Sequence, residues 1–295
     1  MPIVLSKYQL DAKFLVMTTH TSGLIRDSEV LEVLSQAEAF TNGGLGVNRV
    51  AELTGRDKGQ ISRVLKTLAE IGLVDRDDRT LKYTLGSKLY LMAMRTKEAR
   101  LGTLAEFRLR ELVAQTQESA HLDVLRGGRI LTIKTISAAK ELTREGWGGL
   151  VAPAGITASG RAMLASLSDE EVKLWWYEHA QLSPLPAAKS TLPRSREPID
   201  PEFSLQRPAK NLQSFLAMMK QVRNQGYAIS DGEFQTGIVD AAAPVRDISN
   251  KVVATISTGV PKERVRDQFD SIGQLVTAAA LRFSTDLGAP IIGPT

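Results

Sequence analysis

Residues 47–72, VNRVAELTGRDKGQISRVLKTLAEIG, constrain the fold more than any other part of the chain. Apolar residues recur there at helical spacing in two runs, separated by Gly55, which permits a sharp turn. The first helix begins near Val47 and turns Val50, Ala51 and Leu53 inward. The second begins after Asp57, placed to cap it, with Gln60 at capping-box spacing. Ile61, Val64, Leu65 and Leu68 form its inner face, and Gly72 is placed to end it. Its outer face carries Lys58, Gly59, Gln60, Ser62, Arg63 and Lys66. A cationic, hydrogen-bonding helix held at a set angle by a small helical partner is what reading a DNA major groove requires.

The flanking segments extend this unit. Asp27 to Ser35 predicts a helix capped by Asp27 or Ser28, with Val30, Leu31 and Leu34 as its apolar stripe, and residues 41–46 (TNGGLG) break it. Leu73 to Leu85 reads as two short strands around an Asp77-Asp78-Arg79 turn. Alone, that pattern fits an ordinary hairpin with a solvated tip. Directly after the cationic helix it reads as a wing, which sets Arg76, Arg79 and Lys82 beside the phosphate backbone.

Charge follows the same division. The net charge is +4, and residues 1–110 hold 17 Lys/Arg against 13 Asp/Glu, so the excess lies with the helix-turn-helix segment. A local basic patch, not the average, sets attraction to phosphate. The length of 295 residues suits two domains, and 43% apolar with 24% charged residues suits a chain that buries real cores. No run approaches the roughly 18 apolar residues of a membrane span, and the N-terminus lacks a signal-peptide core, so a cytoplasmic protein is expected. Cysteine is absent, and His20, His121 and His179 lie far apart, so neither a metal nor a cofactor is expected.

Residues 1–26 are weakly patterned and read as an arm, 27–86 as the winged helix-turn-helix domain, and 87–118 as a linker helix that Gly102 interrupts or divides. Residues 119–288 read as a second domain. There His121 to Leu125 and Arg129 to Ile136 form a hairpin across Gly127-Gly128. Ala158 to Leu167 and Leu212 to Asn224 are helical, Gly237 to Pro244 and Lys251 to Gly259 are strands, and Val265 to Phe283 is a closing helix. Strands mixed with helices in one unit give an α+β class. The prolines between 180 and 210 predict an extended surface loop.

Taken together these residues resemble the IclR family of bacterial transcriptional regulators, from about Asp27 to Gly288. The resemblance is carried by residues 60–68 (QISRVLKTL), 72–76 (GLVDR), 83–86 (YTLG), 157–165 (TASGRAMLA), 226–231 (GYAISD) and 241–247 (AAAPVRD), in that order. It implies a winged helix-turn-helix head, a linker helix and a GAF/PAS-like α+β effector domain. It also implies a homodimer or dimer of dimers on operator DNA, most often a repressor of a catabolic operon, controlled by a small organic effector. Carried over by position, the effector pocket comprises Ala158, Ser159 and Gly160, whose backbone N–H groups suit an anionic or polar head. It further comprises the strip from Ser230 and Asp231 to Asp240, then Ser257 and Gly259, with apolar walls from Leu125, Trp147, Leu150, Val151 and Met163.

This chain departs from the acid-binding pattern at Ser230, where a carboxylate is usual, and at Asp240, where a small or thiol side chain is usual. If Asp240 points into the pocket it repels a carboxylate ligand, which favours a neutral or donor-bearing effector such as an aromatic amide, hydrazide or phenol. If instead it faces solvent, or pairs with Arg246 or Lys251, an acid remains open. A hydrolase-like enzyme is the competing class. The chain has no Gly-x-Ser-x-Gly elbow, Walker loop or Gly-x-Gly-x-x-Gly, and residues 146–149 (GWGG) lack a lysine. His121, Ser159 and Asp240 are the only nominal triad, and nothing in their spacing requires one, so no enzyme activity is expected.

Overall fold

The structure, a computed structural model, describes residues 23–138, 149–180, 209–235, 237–265 and 269–290. Residues 181–208 of the expected 180–210 loop, Trp147 and all but the end of the N-terminal arm lie outside them. The described chain forms two compact units that meet in sequence between Arg100 and Leu101.

The first unit packs α1 (Gly23–Leu34), α2 (Ala37–Thr41), α3 (Val47–Thr54) and α4 (Lys58–Glu70) around Val30, Val50, Ile61 and Leu65, all fully buried. Helix α1 starts before Asp27, so neither Asp27 nor Ser28 caps it. Asp27 instead accepts from the Arg56 guanidinium at 3.0 Å, and Arg56 also donates to the Arg26 carbonyl, which ties α1 to the α3–α4 turn. Gly55 makes that turn in the left-handed region at φ 66°. Asp57 caps α4, its carboxylate accepting from the N–H groups of Gly59 (2.8 Å) and Gln60 (3.1 Å). Strands β1 (Val74–Arg76) and β2 (Tyr83–Leu85) pair antiparallel, and Tyr83 exchanges backbone hydrogen bonds with Leu45. The expected linker is two helices, α5 (Ser87–Ala93) and α6 (Lys97–Thr116). The break falls at Met94 to Thr96, not at Gly102. Gly102 is buried within α6, where Lys134 and Ile133 of the sheet pass close by.

The second unit is built on a six-stranded antiparallel sheet in the order β5-β4-β3-β8-β7-β6. Its strands are β3 (Ala120–Arg126), β4 (Arg129–Ile136), β5 (Val151–Pro153), β6 (Ala228–Asp231), β7 (Ile238–Arg246) and β8 (Val252–Pro261). Side chains alternate across it. Leu122, Val124, Val239 and Ile256 point to one face, where they pack on α6 and on α11 (Phe269–Asp286) through Leu109, Leu112, Val276 and Phe283. The short α10 (Lys262–Val265) precedes α11. The other face meets α7 (Ala158–Leu164), α8 (Asp169–His179) and α9 (Leu212–Gln225), where Leu164, Trp175, Phe215 and Met219 form a second core. Helix α8 is absent from the sequence reading, although Ser168 and Glu171 form a complete capping box at its start. The fold is therefore α+β, as expected.

Candidate functional site

On α4, Lys58, Gly59, Gln60, Ser62, Arg63 and Lys66 are all exposed, opposite the buried Ile61, Leu65 and Leu68. The separation is a consequence of helical period: one stripe supplies the core and leaves the other to solvent. Arg63 Nε donates back to the Gly59 carbonyl at 3.3 Å, while Lys66 lies 4.0 Å from Glu70. In the wing, Asp77 accepts from the N–H groups of Arg79 and Thr80, which shapes the tip and holds the Asp77 carboxyl below its usual range. Arg79 is exposed there, and Arg76 lies over the Tyr83 ring, 5.8 Å from its centre. Lys82, expected beside the phosphate backbone, is also a tie within the unit. Its ammonium donates to the Asn42 carbonyl at 2.7 Å, pinning the wing to the turn before α3.

In the second unit a partly open cavity of about 70 Å³ lies between the sheet and the start of α7. Of the residues expected there, Leu150, Ala158, Ser159, Asp240, Ser257 and Gly259 line it. The other described ones are directed elsewhere. Leu125 and Met163 belong to the core beneath α7. Val151 pairs with Leu131 on the edge strand and points away, while its neighbours Leu150 and Ala152 reach the cavity. The Ser230 hydroxyl is fully buried and donates to the Ile156 carbonyl, and Asp231 pairs with Lys262 at 2.7 Å. Gly160 offers no free N–H, because that group donates to the capping Thr157 hydroxyl at 3.2 Å. A Cβ at Gly160 would lie 2.0 Å from the Ala154 carbonyl oxygen, so glycine is needed for α7 to seat on the 3₁₀ turn at Ala154–Ile156.

The cavity's centre is Asp123, which the sequence reading did not single out. Only 2% exposed, its carboxylate accepts hydrogen bonds from the hydroxyls of Thr132 (2.7 Å), Ser159 (2.7 Å) and Ser257 (2.6 Å). These donors come from β4, α7 and β8, so only the assembled fold collects them. Ser119, His121, Ile130, Ala152, Thr157, Phe234, Gln235 and Ile238 complete the wall, of which Phe234, Gln235 and Ile238 fall within the expected strip from Ser230 to Asp240. Asp240 lies on the same sheet face, so it neither faces away nor pairs with Arg246, whose guanidinium donates to the Asn250 carbonyl. Burial, reinforced by the Asp123 charge and opposed by Arg161, pushes the Asp240 carboxyl up to about 7. Arg161, 2% exposed, donates to the carbonyls of Gly155 and Ile229 and to both Glu233 oxygens. Burial pulls it down to about 10, which leaves it a cation at neutral pH. That pair anchors the loop carrying Phe234 and Gln235 behind α7.

The nominal triad is not assembled as such. The Ser159 proton is directed to Asp123, and His121 Nδ1 meets Thr135 Oγ1 at 3.0 Å. Among the described residues no cluster of three His, Cys, Asp or Glu could hold a metal, and no helix is long and apolar enough to cross a membrane.

Two family profiles match the chain. "Bacterial transcriptional regulator IclR C-terminal" matches residues 94–194 and 206–285, and "IclR helix-turn-helix domain" matches residues 28–78. The HTH-type transcriptional regulator KdgR of Escherichia coli (strain K12) is 25% identical over 264 residues, covering 88% of this chain and 93% of that protein. The Thermotoga maritima IclR structure has a similar fold, with TM-score 0.66 at 19% identity, covering 90% of this chain and 98% of that one. So has an IclR homologue from Microbacterium hydrocarbonoxydans complexed with 4-hydroxybenzoate, with TM-score 0.67 at 17% identity over 90% of this chain and 97% of that one.

Proposed function

We propose, from the premise that this chain belongs to the IclR family of bacterial transcriptional regulators, that α4 reads operator DNA and that a small organic effector in the Asp123–Asp240 cavity controls it. The observation that carries this reading is the exposed polar face of α4 beside a wing of matching charge. Gln60 and Arg63 reach base edges, while Lys58, Ser62, Lys66, Arg76 and Arg79 hold phosphates. Gly59 lets the helix start approach the backbone closely, and Lys82 acts by holding the wing in place. The assembly is a dimer or dimer of dimers, and the regulator acts as a repressor of a catabolic operon, not as an enzyme.

A neighbour of similar fold complexed with 4-hydroxybenzoate supports a small organic ligand as the effector class. Here the ligand is one that brings hydrogen-bond donors, because Asp240 repels a bare carboxylate. Control requires that the effector bind two dimer arrangements with different affinity, since equal affinity shifts nothing.

Gel-shift titration on the protein's own upstream region against random duplex tests the reading. Tighter binding to the upstream region is expected. Arg63→Ala should relax preference at one base pair, by about 1–3 kcal/mol, and Arg79→Ala should weaken all sequences alike and flatten the salt dependence. Equal affinity of the wild-type protein for both duplexes refutes sequence-specific regulation.

A further inference from the structure

A hydroxyl owns one proton and two lone pairs. Thr132, Ser159 and Ser257 each commit that proton to the Asp123 carboxylate, which as an acceptor leaves them no alternative arrangement. What these three hydroxyls present to the cavity is therefore lone pairs. Asp240 adds a carboxylate that, among the described residues, accepts no hydrogen bond. It reaches the cavity because its cross-strand neighbour is Gly259, where a Cβ would lie 2.8 Å from Asp240 Oδ1. The carboxylate lies over a bare Cα.

No lysine or arginine is among the described residues that line the cavity. The nearest guanidinium, Arg161, spends its donors on Glu233 and two carbonyls behind α7. The centre of this site is thus two carboxylates and three hydroxyls whose protons are committed, with no lysine or arginine, while the His121 imidazole and the Gln235 amide stand in the surrounding wall. A carboxylate ligand meets like charge there once Asp240 is ionised, and the protons of Thr132, Ser159 and Ser257 are already committed to Asp123. A neutral alcohol supplies one donor and leaves the Asp240 charge uncompensated. A group with several N–H donors and a positive charge satisfies both demands.

We propose that this cavity selects a small organic cation bearing a primary ammonium or an amidinium. Its N–H donors are shared between Asp240 and the lone pairs of Ser159 and Ser257, and its apolar part rests on Ile130, Ala152 and Ile238. The volume limits that part: about 70 Å³ corresponds to roughly five or six waters on the scale of ~10–15 Å³ per water. The proposal rests on reading this cavity as the effector site and narrows the effector to one class.

The test is calorimetric titration of the full-length protein at pH 8, where Asp240 is ionised, with four probes of matched chain length: butylammonium, 1-butanol, butyrate and butyltrimethylammonium. Butylammonium is expected to bind at least ten-fold more tightly than each of the others. The trimethylated cation keeps the charge but has no N–H, so its weakness isolates the need for N–H donors to Asp240 and the committed hydroxyls. Asp240→Asn should remove the preference for butylammonium over 1-butanol. Butyrate binding as well as butylammonium, equal binding of all four, or no butylammonium binding at millimolar concentration each overturns the proposal. So does an undiminished preference in a folded Asp240→Asn protein. If that variant fails to fold, the four-probe comparison on the wild-type protein still decides. Binding to the upstream duplex is measured separately without probe. Its absence counts against the regulator reading and leaves the probe ranking intact.

Discussion

Asp240→Asn isolates the cost of keeping a carboxylate in the cavity. Burial and the Asp123 charge raise its carboxyl from 3.8 to about 7, with Arg161 opposing. The folded chain therefore holds a proton on Asp240 over a range where the unfolded chain has released it. Stability from this group is fully present below pH ~4 and is lost as pH rises through about 7. A shift of about three units corresponds to about 4 kcal/mol at 1.36 kcal/mol per unit. Because the cavity is partly open and water reaches the side chain, we discount this to about 2 kcal/mol. Asparagine keeps the shape and cannot ionise. The variant is expected to match wild type near pH 3.5 and to exceed it at pH 8 by about 2 kcal/mol, or about 4–8 °C in Tm for a domain of this size. Differential scanning calorimetry of both proteins at the two pH values reads this directly. The groups around Asp240, namely Asp123, Arg161 and His121, are common to both proteins, so the difference reports the substituted carboxyl. An offset of the same size at both pH values, or a variant less stable at pH 8, refutes the reasoning.

Other residues give independent expectations. Arg161→Leu leaves Glu233 buried without its partner and should cost about 3–5 kcal/mol in urea unfolding; a loss under 1 kcal/mol would mean that the pair does not anchor the loop. Gly160→Ala forces a methyl into the Ala154 backbone, with a loss of about 1–3 kcal/mol expected from overpacking and measured as a shift in urea midpoint. Asp57→Ala removes the acceptor for two N–H groups at the start of α4, costing about 1 kcal/mol. Hydrogen exchange should show the loss in the first unit only, and protection lost in the second unit would contradict it.

The first unit was largely legible because its signals are local. Asp57, Gly55, the Ile61–Leu65–Leu68 stripe and Gly72 each act within one or two helical turns, and the structure places all of them in the expected roles. Misreadings arose where a nonlocal partner overrode a local preference. Asp27 looks like a cap but serves Arg56, 29 positions away. Gly102 looks like a break, yet it lies where a helix passes close to a sheet. Helix α8 is marked in the sequence by its cap at Ser168 and Glu171, a signal as local as that of α4.

For the cavity, sequence alone determined that a carboxylate stands at 240, that Ser159 and Ser257 carry hydroxyls, and that both lie in segments of family character. It could not single out Asp123, because one aspartate in an alternating strand looks like a solvent-facing residue. Its three donors lie 9, 36 and 134 positions away in the chain. Only the tertiary structure decided that these hydroxyls point at Asp123 and present lone pairs to the ligand. Hydrogen-bond direction depends on which groups meet in space, and strand alternation by itself leaves both faces open. Helix capping and helical period are short-range, so they are written in the residues; the polarity of a binding cavity is a property of the meeting of distant segments.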